Sequence, residues 1–240
     1  ALWLRNQGFE VELAPVTRDG FVDVEKLADL IRPETILISI MAANNEIGSI
    51  QPIKDISDLL EKHPTVSFHV DAVQAIGKMP LEDFLTERVD FATFSGHKFH
   101  SVRGVGFIFA KEGKKISPLL TGGGQESDKR STTENVAGIA ATAKALRLVL
   151  DQFKVGQHRL LAMKKVILDE LATYPDVTIF SQMEGFLPNI LTFGIKNVRG
   201  EVTVHAFEDH QIYISTTSAC SSKAGKPAGT LLAMGIPQKL

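Results

Sequence analysis

The chain has 240 residues, 44% of them hydrophobic and 22% charged, with a formal net charge of −2. That balance describes a globular soluble chain and gives no bias toward nucleic acid or anionic membranes. Its longest apolar runs are of strand length, far below the roughly 18 residues that suggest a membrane span, and the first residues resemble no signal peptide.

From Phe9 to about Ala110 the pattern alternates β and α segments, which predicts a mostly parallel sheet covered by helices. The first clear strand is Ile36-Leu37-Ile38-Ser39-Ile40-Met41, followed by Ala42-Ala43-Asn44-Asn45-Glu46-Ile47-Gly48 and by Gln51-Pro52, which opens a helix. Asn45 is either a turn residue before a glycine or an amide aimed at a ligand. A second short strand, Val66 to Val70, ends in Asp71, with Gln74 one helical turn later. A third, Val89-Asp90-Phe91-Ala92-Thr93-Phe94, runs into Ser95-Gly96-His97-Lys98 and then into the glycine-rich strand Gly104 to Ala110.

A lone lysine at a strand end reads first as an ordinary surface residue. Here, however, 27 positions separate Asp71 from Lys98. That length suffices for one crossover and a return strand, so right-handed parallel pairing puts both side chains on one rim. Carboxyl ends of parallel strands are where open α/β sheets bind ligands, and small donors beside Lys98 suit a phosphate. An amine and a carboxylate flanking one pocket match what pyridoxal 5'-phosphate needs. The lysine forms a Schiff base, and the carboxylate keeps the ring nitrogen protonated so that the ring withdraws electrons. Asp71 alone would read as a helix N-cap.

Beyond Ala110, Gly122-Gly123-Gly124 interrupts the alternation, either as a hinge or as a close backbone approach to phosphate. Past Asn135, apolar residues recur at helical spacing through Ile139, Ala143, Leu146 and Leu150, then through Leu160, Leu161, Val166, Leu168 and Leu171. Two successive helices are predicted. Strands at Val177 to Phe180 and Ile190 to Ile195, with a helix near Glu201 to Glu208, make a smaller α+β domain. The expected fold is therefore α/β, with a large domain over residues 1–134 and an interdomain helix plus the smaller domain over 135–240.

Cys220 is the only cysteine, so no internal disulfide can form, and a reducing, cytoplasmic setting fits. Its neighbours, Ile214 to Gly225, are mostly small and polar, a loop composition that cannot pack around a thiol as a core does. An exposed, reactive thiol is expected there, with base assistance or a lowered pKa to raise its thiolate fraction. His97 and His100 are three residues apart, but no cysteine or acidic cluster completes a metal set near them.

Taken together, Asn44-Asn45-Glu46-Ile47-Gly48, His69-Val70-Asp71-Ala72-Val73-Gln74 with Gly77-Lys78, and Phe94-Ser95-Gly96-His97-Lys98 resemble the cysteine desulfurases of the NifS/IscS type. These belong to the class V aminotransferases of pyridoxal phosphate fold type I. The resemblance continues through Gly122-Gly123-Gly124-Gln125-Glu126, Arg130-Ser131, Thr133-Glu134-Asn135-Val136 and Ser218-Ala219-Cys220-Ser221-Ser222. It implies that Lys98 is the Schiff-base lysine, that Asp71 pairs with the pyridine nitrogen, and that Gln74 and Asn45 lie near the phenolic oxygen and substrate. Ser95 and His97 hold phosphate, and Thr133 reaches the partner subunit's site in a homodimer. The implied reaction converts L-cysteine to L-alanine and leaves a persulfide on Cys220 for a sulfur-acceptor protein, serving iron-sulfur cluster assembly or transfer RNA thiolation. A selenocysteine lyase, an aminotransferase, or a silent module for dimerisation or sulfur-carrier docking is the alternative.

Departures from the family pattern are local. Ser127 to Thr133 differs from the usual Arg-Gly-containing run, with Thr132 at a usual glycine; Ser101-Val102-Arg103 replaces Gly-Pro-Lys; and Thr217 stands at another usual glycine. The resemblance also implies roughly a hundred further residues ahead of Ala1, about a domain's worth. Those would carry a phosphate-binding turn and a ring-stacking side chain, and a carboxylate-gripping arginine would follow Leu240. On that expectation the chain is a fragment that binds the cofactor weakly by itself.

Overall fold

The computed structural model describes residues 2–216 and 229–236. Cys220, singled out above for sulfur chemistry, lies outside the described residues. In chain order the elements are α1 (Val24–Leu30), β1 (Leu37–Met41), α2 (Ile53–Leu60), β2 (Ser67–Asp71), β3 (Phe91–Ser95), β4 (Gly106–Ala110), α3 (Val136–Asp151), α4 (Phe153–Leu171), β5 (Val177–Ile179), β6 (Phe193–Ile195), α5 (Gly200–Glu208) and α6 (Gly229–Ala233). A 3₁₀ turn at Gly96–Phe99 follows β3 directly. Among the described residues no helix is long and apolar enough to cross a membrane.

Contacts divide the chain into two compact units. One holds Ile36–Ala42 and Ile56–His158; the other holds Ala1–Thr35, Ala43–Asp55 and Arg159–Leu240. Both are discontinuous in sequence, because the chain leaves the sheet after β1 and returns within α2.

The first unit contains a sheet in the order β1-β2-β3-β4. β1, β2 and β3 run parallel, and β4 is antiparallel to β3. The predicted mostly parallel α/β sheet is therefore present. Alternation at period two sorts its side chains. Ile38, Ile40, Phe68, Val70, Ala92 and Phe94 are buried on one face, and each of the isoleucine, valine and phenylalanine side chains contributes about 1.5–3 kcal/mol. The other face carries Ser39, His69, Asp71, Thr93 and Ser95, half-buried or exposed. These strands thus bury one face and leave the other half-open.

At the amino ends of β2 and β3, Asp90 fixes the frame. Its carboxylate meets Arg88 Nη1 at 3.0 Å and Lys114 Nζ at 3.0 Å, and accepts the Phe68 N–H at 2.9 Å. Arg88 also donates to the carbonyls of Leu60, His63 and Val66. Burial alone would raise the Asp90 pKa, but the Phe68 N–H and the two cations hold it below the usual carboxylate value. The charges at this end lock the frame and leave the opposite, carboxyl end for ligands.

In the second unit, β5 and β6 pair antiparallel, with Val177 opposite Ile195 and Ile179 opposite Phe193. Ile47, Phe180, Phe186 and Met234 form a core cluster there. Beside it lies Lys164, 3% exposed, whose Nζ donates to the Leu187 carbonyl at 2.9 Å and sits 5.7 Å from the centre of the Phe186 ring. Burial lowers its pKa to about 8. Between that value and the ordinary lysine pKa, the unfolded chain holds a proton that the folded chain does not, so stability rises with pH across the window. The stability difference between the unsubstituted chain and Lys164→Met should shift in favour of lysine by on the order of 2–3 kcal/mol from pH 7.5 to 10.5. Paired urea titrations at the two pH values check this, and a difference that does not change with pH would contradict it.

Candidate functional site

The expected rim exists in the first unit. Met41 pairs with Asp71 in β1–β2, and Asp71 pairs with Thr93 in β2–β3, so the three parallel strands reach the same edge together. Asp71 is the last residue of β2 and Ser95 the last of β3. Lys98 follows within the 3₁₀ turn Gly96–Phe99. Parallel pairing therefore brings the acid-bearing and the amine-bearing strand ends side by side, an arrangement for which the intervening length suffices.

Local chemistry holds the Lys98 turn in place from both flanks. Gly96 is buried, and a Cβ there would lie 3.0 Å from the Val105 carbonyl oxygen and 3.2 Å from Thr142 Oγ1, so any larger residue would have to push these neighbours aside. Phe99 is 2% exposed and meets Phe107 edge-on at 6.4 Å, while Phe107 stacks on Phe94 at 4.5 Å. His100 closes the turn in the left-handed region at φ 70°. Ser101 Oγ then bonds Thr142 Oγ1 of α3 at 2.8 Å, and Thr142 donates to the Gly138 carbonyl. Ser101 thus supplies a clamp between the turn and α3. Lys98 itself remains exposed, flanked by the fixed Gly96 and Phe99.

Ser95 Oγ and His97 Nδ1 lie 2.9 Å apart, so the hydroxyl and the imidazole form one polar pair beside Lys98. Asp71 Oδ1 accepts the Val73 N–H at 3.1 Å. The capping role expected of an isolated aspartate is thus occupied by one carboxylate oxygen. Gln74 is buried and accepts a bond from Lys78 Nζ at 2.9 Å. Burial, and secondarily the charge of Lys98, lower the Lys78 pKa to about 8. Lys78 and Gln74 are four residues apart, and the turns after Asp71 keep the two side chains together as a helical turn would.

His69, one pleat before Asp71 on the same face, spans three strands. Its Nδ1 lies 2.7 Å from Ser39 Oγ on β1 and its Nε2 lies 3.1 Å from Thr93 Oγ1 on β3. Burial lowers its pKa, opposed by the Asp71 charge. A neutral imidazole satisfied at both nitrogens cross-links the strand ends. Only the strand register brings these three residues together, so the sequence carried no separate signal for them.

Asn45 lies in the second unit, in the loop after β1. The neighbouring Asn44 takes the turn role: its Oδ1 accepts the N–H groups of Glu46 and Ile47 at 2.8 and 3.0 Å. Gly48, at φ 81°, lets the loop pass Ile190, whose Cβ would lie 2.9 Å from a side chain at that position. Ser181 donates to the Ile47 carbonyl and Thr192 to that of Glu46. Asn45 is left exposed on a loop that is bonded throughout. Thr133 is also exposed, on the segment before the Asn135 N-cap of α3. Ser127 and Asp128, within the altered stretch, and Glu126 just before it adopt the left-handed region, whereas Thr132 does not.

An open sheet that gathers a carboxylate, a hydroxyl, an imidazole and an amine on adjacent parallel strand ends is built as a ligand-binding rim of the α/β class. Residues 2–236 match the family described as Aminotransferase class-V, and the chain belongs to that family. It is 49% identical over 238 residues to a protein of Lactobacillus delbrueckii subsp. bulgaricus named "NifS/IcsS protein homolog", covering 99% of this chain and 62% of that one. It is 39% identical over 238 residues to "Cysteine desulfurase IscS" of Methanosarcina thermophila, covering 99% of this chain and 58% of that one. A solved structure named "NIFS-LIKE PROTEIN" superposes with a TM-score of 0.89 at 36% identity, over 99% of this chain and 62% of that one. The chain thus spans about six tenths of the length of these relatives.

Proposed function

We propose that this chain carries the reacting residues of a pyridoxal 5'-phosphate-dependent cysteine desulfurase, which converts L-cysteine to L-alanine and transfers the sulfur to its own cysteine. The observation that carries the reading is the parallel pairing of β2 and β3, which sets Asp71 and the Ser95-to-Lys98 turn at one edge. The names of the relatives support the same reaction. The donor set suits the cofactor: a carboxylate for a ring N–H, a hydroxyl and an imidazole for phosphate, and an exposed primary amine for the aldehyde.

When bound, pyridoxal phosphate supplies the electron-withdrawing ring that makes the substrate Cα–H acidic. In the proposed mechanism the Asp71 carboxylate keeps the proton on the ring nitrogen, while its Val73 bond fixes the carboxylate plane. Ser95 and His97 hold the phosphate, and Gln74 and Asn45 orient oxygen atoms of cofactor and substrate. The Lys98 amine, once free, takes the Cα proton. The Cys220 thiolate attacks the substrate sulfur: an S–S bond forms, the substrate C–S bond breaks, a proton goes to the Cβ left behind, and Lys98 returns a proton to Cα, which gives alanine. Sulfur then passes to an acceptor protein. Thr133 completes the partner subunit's phosphate site in a homodimer, and the single cysteine supports a reducing, cytoplasmic setting. Residues 1–134 serve as cofactor-binding domain and 135–240 as interdomain helix and smaller domain.

Cys220→Ser tests the sulfur step. Sulfide release and persulfide labelling should fall at least about a hundredfold, while cofactor absorbance stays unchanged. Undiminished sulfide release would sink the desulfurase reading in favour of another reaction of the same family.

A further inference from the structure

The turns after β2 do more than connect. The Ala75 N–H bonds the Ala72 carbonyl at 2.9 Å and the Lys78 N–H bonds the Ala75 carbonyl at 3.0 Å. Between them Gly77 adopts φ 71°, packed against Val149 of α3. This path brings the Lys78 ammonium to 2.9 Å from Gln74 Oε1, three residues past Asp71 on the ligand-binding edge.

A carboxamide can face a ligand by either end, as acceptor or as donor, and the two are nearly the same shape. An ammonium carries three donors and no acceptor, so it tolerates only the oxygen end of the amide. With Oε1 turned to Lys78, the Nε2 group is the end left for another partner. The partner of Lys78 is an amide instead of a carboxylate, and the nearby Lys98 charge opposes its own. A half-buried cation kept beside a like charge contributes little to stability by itself, which leaves orientation of the amide as its use.

Resting on the cofactor reading above, we propose that Lys78 is a positioning residue that fixes the Gln74 carboxamide so that its Nε2 donates to the oxygen substituent of the bound ring. Lys78 acts through Gln74 and touches neither cofactor nor substrate.

A double-mutant cycle tests it, using the dissociation constant for pyridoxal phosphate and the ¹⁵N side-chain amide spectrum of the chain without cofactor. Lys78→Met should weaken binding about tenfold in the unsubstituted chain and less than about twofold in a Gln74→Ala background. It should also displace the Gln74 Nε2 signal before any cofactor is added. Equal losses in both backgrounds, or no loss in either, would overturn the proposal, as would a Gln74 signal indifferent to Lys78→Met. A displaced signal in a chain that binds no pyridoxal phosphate would uphold the orienting contact and overturn the cofactor reading instead.

Discussion

Lys98→Ala should abolish the visible absorbance that pyridoxal phosphate gains on covalent attachment and lower cysteine turnover by about ten-thousandfold. Both effects have one cause, since the same amine binds the aldehyde and moves the Cα proton. The fold should not change. Lys98 is exposed, and its turn is held by Gly96, Phe99 and the Ser101–Thr142 bond. Surface substitutions of this kind cost within about 0.5 kcal/mol. Absorbance and urea midpoint measured on one preparation separate chemistry from stability. Loss of absorbance at an unchanged midpoint is the expected result, and persistent absorbance would remove Lys98 from its role.

Asp71 should give the second large effect, and a pair of variants divides its two tasks. Asp71→Asn keeps an oxygen for the Val73 N–H, so stability should hold while the ring nitrogen loses its anionic partner. Turnover should then fall by about a hundredfold to a thousandfold, the range for removing one well-placed electrostatic partner. Asp71→Ala removes the turn bond as well and should cost about a further 1 kcal/mol of stability. If Asn were as active as Asp, capping would be the whole of this residue's work.

The sheet was legible in the sequence because apolar runs of strand length, each ending in a polar or glycine-rich turn, leave few alternatives to parallel pairing. β1, β2 and β3 fall within a residue or two of the predicted runs, and α3 and α4 occupy the two predicted helices. Asp71, Ser95 and Lys98 were legible as strand-end residues for the same reason. What escaped depended on register or on loop conformation. His69 joins Ser39 and Thr93 only once three strands are aligned. Adjacent asparagines divide their tasks, Asn44 making the turn and Asn45 remaining exposed, and their composition is identical. The two compact units, each assembled from separate stretches of chain, likewise could not emerge from reading residues in order.

The most direct measurement is to incubate the chain with pyridoxal phosphate, reduce with borohydride, and locate the phosphopyridoxyl group by peptide mass spectrometry. The account predicts one modified site, Lys98, with modification lost in Lys98→Ala and weakened in Asp71→Asn. Labelling spread over other lysines with Lys98 unmodified would contradict it.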